Sequence, residues 1–166
     1  KYDNFYTPKN NDFYSKFSYR ILDLNCIRLL RIKPCDPGNI RQAAIECYVI
    51  ENVSLTDMKG KYTTISYAAG DPKRKETVMV NGISFNALSN LGHALRQARY
   101  FWKNKYGNRE LLLWVDQICI NQSNPSERSE QVNLMGEIYA TAEQVLVCLS
   151  VENDISGGIE WIDQLL

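Results

Sequence analysis

The chain has 166 residues, 45% of them hydrophobic, with 19 Lys and Arg balanced by 19 Asp and Glu. That is enough apolar content for one hydrophobic core and a single domain. The even charge excludes a protein drawn to polyanions by its bulk field, so no nucleic-acid partner is expected. No apolar run approaches the roughly 18 residues of a helical membrane span.

The first residues, KYDNFYTPKNNDFY, are polar and aromatic, unlike a secretory signal. The chain lacks an initiator Met and stops within the apolar, periodic IEWIDQLL, so it reads as a piece of a longer protein with further domains beyond Leu166. Residues 1–16 are expected to form an arm and residues 17–166 the domain. The five cysteines (Cys26, Cys35, Cys47, Cys119, Cys148) contain no CxxC pair, and His93 is the single histidine. No metal site is expected from so few spaced ligands. Free thiols imply a reducing compartment, and the expected location is cytoplasmic.

In chain order, Phe17 to Asp23, Cys26 to Lys33 and Ala43 to Glu51 are short β-type runs, predicting an N-terminal antiparallel β-meander. Tyr62 to Ala68 predicts a strand that ends in the loop AAGDP. Thr77 to Phe85 predicts a hairpin around Asn81-Gly82, the favoured pair for a type I′ turn. From Ala87 to Trp102, apolar residues recur at helical spacing. Leu111 to Val115 is apolar on both faces, as in a strand covered from both sides. The next helix is marked by Asn124 as N-cap, Pro125 at its first position and Glu127 closing a capping box. Its predicted stripe is Val132, Met135, Ile138, Tyr139 and Ala142. Val145 to Ser150 predicts another strand, and Gly157-Gly158 precedes a final helix from Ile159. The fold class is therefore α/β, a mainly parallel sheet flanked by helices, preceded by the meander.

Open α/β sheets bind ligands at the carboxyl ends of their strands. Those ends read SYAAGD (Ser66 to Asp71), VDQICINQ (Val115 to Gln122) and LSVEND (Leu149 to Asp154). Tyr67, Gly70, Asp71, Asp116, Asn121 and Gln122 are thus candidates for contacting a polar ligand. Structural roles compete: Asp116 can cap the following turn, and Asn121 and Gln122 can tie down loop backbone. Arg128 sits unfavourably in the first turn of a helix, so it is expected to pair with Asp116. Trp114, Ile118, Val132, Met135 and Tyr139 are assigned to the core. A thiol-protease pairing of His93 with Cys119 lacks signature residues, and the loop GDPKRK lacks the P-loop pattern.

YTTISYAAGD, followed by LLLWVDQICINQSNPSERSEQVNLMGEIYATAEQVLVCLS, resembles the fungal heterokaryon incompatibility (HET) domain. That family shows Ser-Tyr-x-Trp-Gly, then Leu-Trp-Ile-Asp-x-x-Cys-Ile-Asn-Gln, then Glu-Arg-x-x-Gln-Val-x-x-Met-x-x-Ile-Tyr-x-x-Ala. The match is nearly complete from Leu113 to Ala142 and adds Glu127, Arg128 and Gln131 to the motif residues. One departure is Ala69, where the family carries Trp. The resemblance implies an inducer of programmed cell death after non-self recognition. It also implies a distant likeness to Toll/interleukin-1 receptor (TIR) domains, with a flavodoxin-like core. Some TIR domains cleave NAD⁺ with a glutamate in the helix after the third strand; here Glu160 is the nearest equivalent and Glu152 the second. TIR enzymes carry Trp-Cys-x-x-Glu at that place, and this chain has Ser-Gly-Gly-Ile-Glu. Two readings follow. One is an enzyme with NAD as substrate; the other is a non-enzymatic domain acting through self-association or protein partners.

Overall fold

The computed structural model describes residues 11–34 and 44–148. Along the chain run α1 (Phe13–Lys16), β1 (Cys26–Ile32), β2 (Glu46–Ser54), β3 (Thr63–Tyr67), β4 (Lys75–Val80) and β5 (Ile83–Leu88). There follow α2 (Ser89–Tyr106), β6 (Leu112–Trp114), α3 (Asp116–Cys119), α4 (Pro125–Thr141) and β7 (Gln144–Cys148). The strands form one sheet in the order β5-β4-β2-β1-β6-β3-β7.

The sheet is mixed, which corrects the expectation of a mainly parallel one. β6, β3 and β7 run parallel, as does β4 beside β2, whereas β1 is antiparallel to both β2 and β6, and β4 to β5. The alternation of strand and helix correctly marked the parallel half. The N-terminal strands do not form a separate meander. β1 is inserted between β2 and β6 and joins the two halves of the sheet.

Residues 17–23, expected as a strand, are not one. Ile21 and Leu24 are about nine-tenths exposed, at 90% and 91%. The aromatic residues instead cluster: Phe13 stacks on Phe17 at 4.9 Å and meets Phe85 of β5 edge-on at 5.0 Å. Phe13 is fully buried, so the end of the expected arm packs onto the sheet.

Local signals succeed where one residue type has one solution. Asn81 and Gly82 take φ of 51° and 76°, the left-handed pair that a type I′ hairpin requires. α2 buries Leu91, Leu95, Ala98 and Trp102 along one stripe and stops at Gly107, whose φ is 63°. Asn124 caps α4, its Oδ1 accepting from the amides of Ser126 (3.1 Å) and Glu127 (3.3 Å).

The two long helices lie on opposite faces. Thr64 is in register with Trp114 on one side and Val145 on the other, so these three side chains share a face. On that face the Trp114 ring meets Tyr139 of α4 edge-on at 5.9 Å. Ile65 and Leu146 turn the other way and line a cleft with Ala94 and Ala98 of α2.

α4 departs from its predicted stripe. Its buried residues are Glu127, Gln131 and Ile138; Met135 and Tyr139 are half-buried, and Val132 is 51% exposed. Two polar groups take the place that helical periodicity would give to apolar ones. Ile138→Ala should therefore cost about 2–5 kcal/mol by leaving a cavity, while Val132→Ala should stay within about 0.5 kcal/mol. Urea unfolding of the two variants checks this contrast.

Candidate functional site

Arg28 occupies the third position of β1, in the run CIRLLRI, and has no exposed surface. Because β1 runs antiparallel to β6, its start lies beyond the carboxyl end of β6, beside α3 and the first turn of α4. There the guanidinium donates to Glu127 through Nη1 to Oε1 (2.5 Å) and Nη2 to Oε2 (3.1 Å). It donates further to the carbonyls of Cys119 (3.1 Å) and Arg20 (2.5 Å) and rests over the Tyr19 ring at 4.6 Å. Its Nε stands 3.5 Å from a Glu51 carboxylate oxygen.

Glu127 is thereby reassigned. A capping box would return its carboxylate to the Asn124 amide. Instead Oε1 accepts from Arg28 and from the Asn121 amide (2.7 Å), joining the α3–α4 connection to β1. Gln131, one turn on, donates from Nε2 to the carbonyl of Cys26 at 3.1 Å and is buried. Sequence reasoning missed Arg28. The available signal was a charged residue on the same strand face as Leu30 and Ile32.

The residues expected at the strand ends fall into two groups. Tyr67, at the end of β3, donates its hydroxyl to Asp116 Oδ1 at 2.9 Å, and the Gln117 amide donates to the same oxygen at 2.7 Å. Asp116 opens α3 and is half-buried, and the buried Gln117 beside it keeps its Nε2 without a partner among the described residues. Gly70 has φ of 81°, and a Cβ there would lie 2.6 Å from Asn90 Nδ2, so the loop after β3 is pressed onto the start of α2. Asn90 completes that contact by donating to the Ala68 carbonyl at 3.0 Å. The other group is structural. Gln122 Nε2 donates to the Asp116 carbonyl (2.9 Å), Asn121 Oδ1 accepts from the Ser123 amide (3.1 Å), and Asp71 Oδ1 accepts from the Lys73 amide (2.9 Å).

The expected Asp116–Arg128 pair does not form. Asp116 is held by Tyr67 and Gln117, and Arg128 is exposed with no ion pair among the described residues. The helix turns Glu127 inward and its neighbour outward, and the cation that the carboxylate needs comes from β1. Glu152 and Glu160, with Gly157-Gly158, lie outside the described residues.

Cys119 is fully buried and accepts from the Val115 amide at 3.4 Å; burial pushes its thiol up from the ordinary 9.0 to about 12. A group so reluctant to ionise is no nucleophile at neutral pH. His93 lines the α2 cleft, which Cys119 does not, and burial and then Arg96 lower its pKa. No cluster of metal-ligating side chains occurs among the described residues, and no helix there is long and apolar enough to cross a membrane. A cavity of about 420 Å³ lies at the start of β6, walled by Trp102, Arg109 and Leu111. Another, of about 840 Å³, runs between α2 and β7 and reaches Cys148, the register partner of Tyr67.

Glu127→Ala should destabilise the domain by about 3–5 kcal/mol, because it strands a buried guanidinium. Replacing both partners, as in Arg28→Met with Glu127→Leu, should cost less than the two single changes summed. Chemical unfolding of the double-mutant cycle measures the difference. For Cys119, the unfolded thiol ionises near 9.0 while the native one keeps its proton to about 12. Its contribution to stability is complete below pH 9 and lost as pH rises toward 12. Cys119→Ala should flatten that alkaline decline in a pH series of melting curves.

The profile of the Heterokaryon incompatibility protein (HET) family matches residues 62–165. Heterokaryon incompatibility protein 6, OR allele, of Neurospora crassa is 38% identical over 106 residues, which cover 59% of this chain and 15% of that protein. The chain thus spans a small part of the length of this relative. No solved structure matches. The matched span runs from the buried Tyr62 through the Tyr67–Asp116 rim and the Glu127–Gln131 face of α4, and on these grounds the chain belongs to the heterokaryon incompatibility (HET) family.

Proposed function

We propose that this chain is an effector domain of fungal heterokaryon incompatibility, triggering cell death after non-self recognition, and that it acts through a polar ligand held at the carboxyl ends of β3 and β6. The observation that carries this reading is the Tyr67–Asp116 pair. Asp116 is the motif carboxylate not consumed by an internal cation, and its Oδ1 is fixed in place by two donors. A carboxylate so oriented suits a ligand rich in hydroxyl donors, such as the ribose of a nucleotide. The α2–β7 cleft adjoins the same edge, and its volume of about 840 Å³ is within the range of small-ligand sites. NAD is the nucleotide of choice, as substrate, with Glu160 or else Glu152 supplying the carboxylate that stabilises charge at the breaking glycosidic bond.

A second reading is favoured by a different observation. Glu127, Gln131, Asn121 and Gln122 each make a hydrogen bond to the chain's own backbone. On this view the motifs hold the fold together, and signalling proceeds by self-association or docking to protein partners without catalysis.

Asp116→Asn keeps the shape of the side chain and removes its charge. On the ligand reading, cell killing is lost, while the melting temperature stays within about 4 °C of wild type. NAD⁺ consumption, followed by chromatography, is lost in Asp116→Asn and in Glu160→Gln. Undiminished killing by both variants, with no NAD⁺ consumed even by wild type, would leave assembly as the mechanism.

A further inference from the structure

The start of α2 lies at the rim where Tyr67 meets Asp116. Two contacts hold it there: the Leu88 amide donates to Gln117 Oε1 at 3.4 Å, and Asn90 Nδ2 donates to the Ala68 carbonyl. The first four amides of a helix have no intrahelical acceptor. In α2 they belong to Leu88, Ser89, Asn90 and Leu91. Gln117 answers the first, and the Arg74 carbonyl answers the second at 3.0 Å. The amides of Asn90 and Leu91 find no acceptor among the described residues. Leu88, as N-cap, has no side-chain oxygen to offer them, and no acidic residue stands in the first turn.

Gln117 is the independent observation. It is 5% exposed, and its Nε2 has no partner among the described residues. Its orientation is fixed, because the Leu88 amide is a donor and must face the carboxamide oxygen. The NH2 group of the same carboxamide therefore stands at the helix start, a buried donor in want of an acceptor. The helix dipole adds positive potential at that point, as at other anion-binding helix starts. The nearby acid does not cancel it: Glu76 comes against the helix at Gly92, but Arg96 holds both its oxygens. The segment whose carbonyl receives the Ser89 amide carries Lys73, Arg74 and Lys75 in succession. We propose that the start of α2, with Gln117 Nε2, is a phosphate subsite of the rim, taking the phosphate or diphosphate of a ligand whose hydroxyls face Asp116. This rests on the rim reading above and narrows the ligand to a phosphorylated nucleoside or sugar. Because Nε2 is covered, the ligand enters as the loop after β3 shifts, and Asn90 fastens that loop to α2 through its bond to Ala68.

The test is an NMR titration of the nitrogen-labelled chain with inorganic pyrophosphate, with ADP and with adenosine, at constant ionic strength. Pyrophosphate and ADP should shift the Asn90 and Leu91 amides and the Gln117 side-chain NH2 saturably, and adenosine should bind roughly tenfold more weakly than ADP. Gln117→Glu keeps the shape and the acceptor for the Leu88 amide, but it removes the donor and adds a negative charge. It should weaken pyrophosphate binding by roughly tenfold or more. If that variant does not fold, the wild-type shifts decide alone. Asp116→Asn takes no donor from the subsite and should still bind pyrophosphate, so loss of the hydroxyl contact is told apart from loss of the phosphate contact. Adenosine binding at the rim without any pyrophosphate shift at α2 overturns the proposal and leaves the rim reading standing. Shifts confined to Lys73, Arg74 and Lys75, or shifts that never saturate, overturn it as well.

Discussion

A guanidinium sealed inside an apolar strand imposes conditions on everything around it. Moving one such ion out of water costs several kcal/mol even after relaxation, and the cost is offset only where its donors are all answered. Arg28 meets most of that demand by drawing together four parts of the chain, its two Nη groups hydrogen-bonded and its Nε left with an ion pair to Glu51 at 3.5 Å. Glu127 comes from the first turn of α4, Cys119 from the end of α3, Arg20 from the segment before β1, and Glu51 from β2. The loop between β6 and α4 is consequently shaped from below by a charge, and the rim residues above it inherit that shape. Asp116 can hold its orientation toward Tyr67 because the turn behind it is anchored through Cys119, Asn121 and Glu127.

This division explains the density of polar residues in the motif. The stretch from Leu113 to Gln131 has three jobs, and neighbouring residues are assigned to different ones. Glu127 and Gln131 face β1, Gln122 and Asn121 hold backbone, and Asp116 faces the rim. A buried ion pair of this kind gives less net stability than a well-packed apolar pair would. Its geometry nevertheless sets the angle and register at which α4 meets β1.

Much of this was legible in the sequence where a local rule has one outcome. Asn81-Gly82 gave the hairpin, Asn124-Pro125 the start of α4, and the alternation of strands and helices the parallel half of the sheet. The meeting of the ends of β3 and β6 was also readable, and Tyr67 and Asp116 do touch. What escaped depended on partners distant in sequence. The first of the two arginines in CIRLLRI reads like a solvent-facing position, since alternation cannot say which face of a strand is covered by something polar. Glu127 three residues after Asn124 has the same spacing whether it caps its own helix or reaches across to β1. Strand direction fails for a similar reason: β1 is antiparallel to β6 because of where the chain must end up, with no mark in its own residues. The four-residue α3 is too short for any periodicity.

The insertion of β1 also bears on how the protein is made. β1 leaves the ribosome early and can hairpin with β2, but its other neighbour, β6, is synthesised some eighty residues later. The carboxylate that grips Arg28 by two hydrogen bonds follows ninety-nine residues behind it. Until Glu127 emerges, Arg28 has Glu51 of β2 as its one carboxylate partner, and closing the two halves of the sheet would bury the guanidinium with its Nη donors short of partners. The domain is therefore committed to folding late, nearly as a whole, with an apolar hairpin waiting in the meantime. Chains cut short before α4 would leave that hairpin permanently open, a natural client for chaperones and proteases.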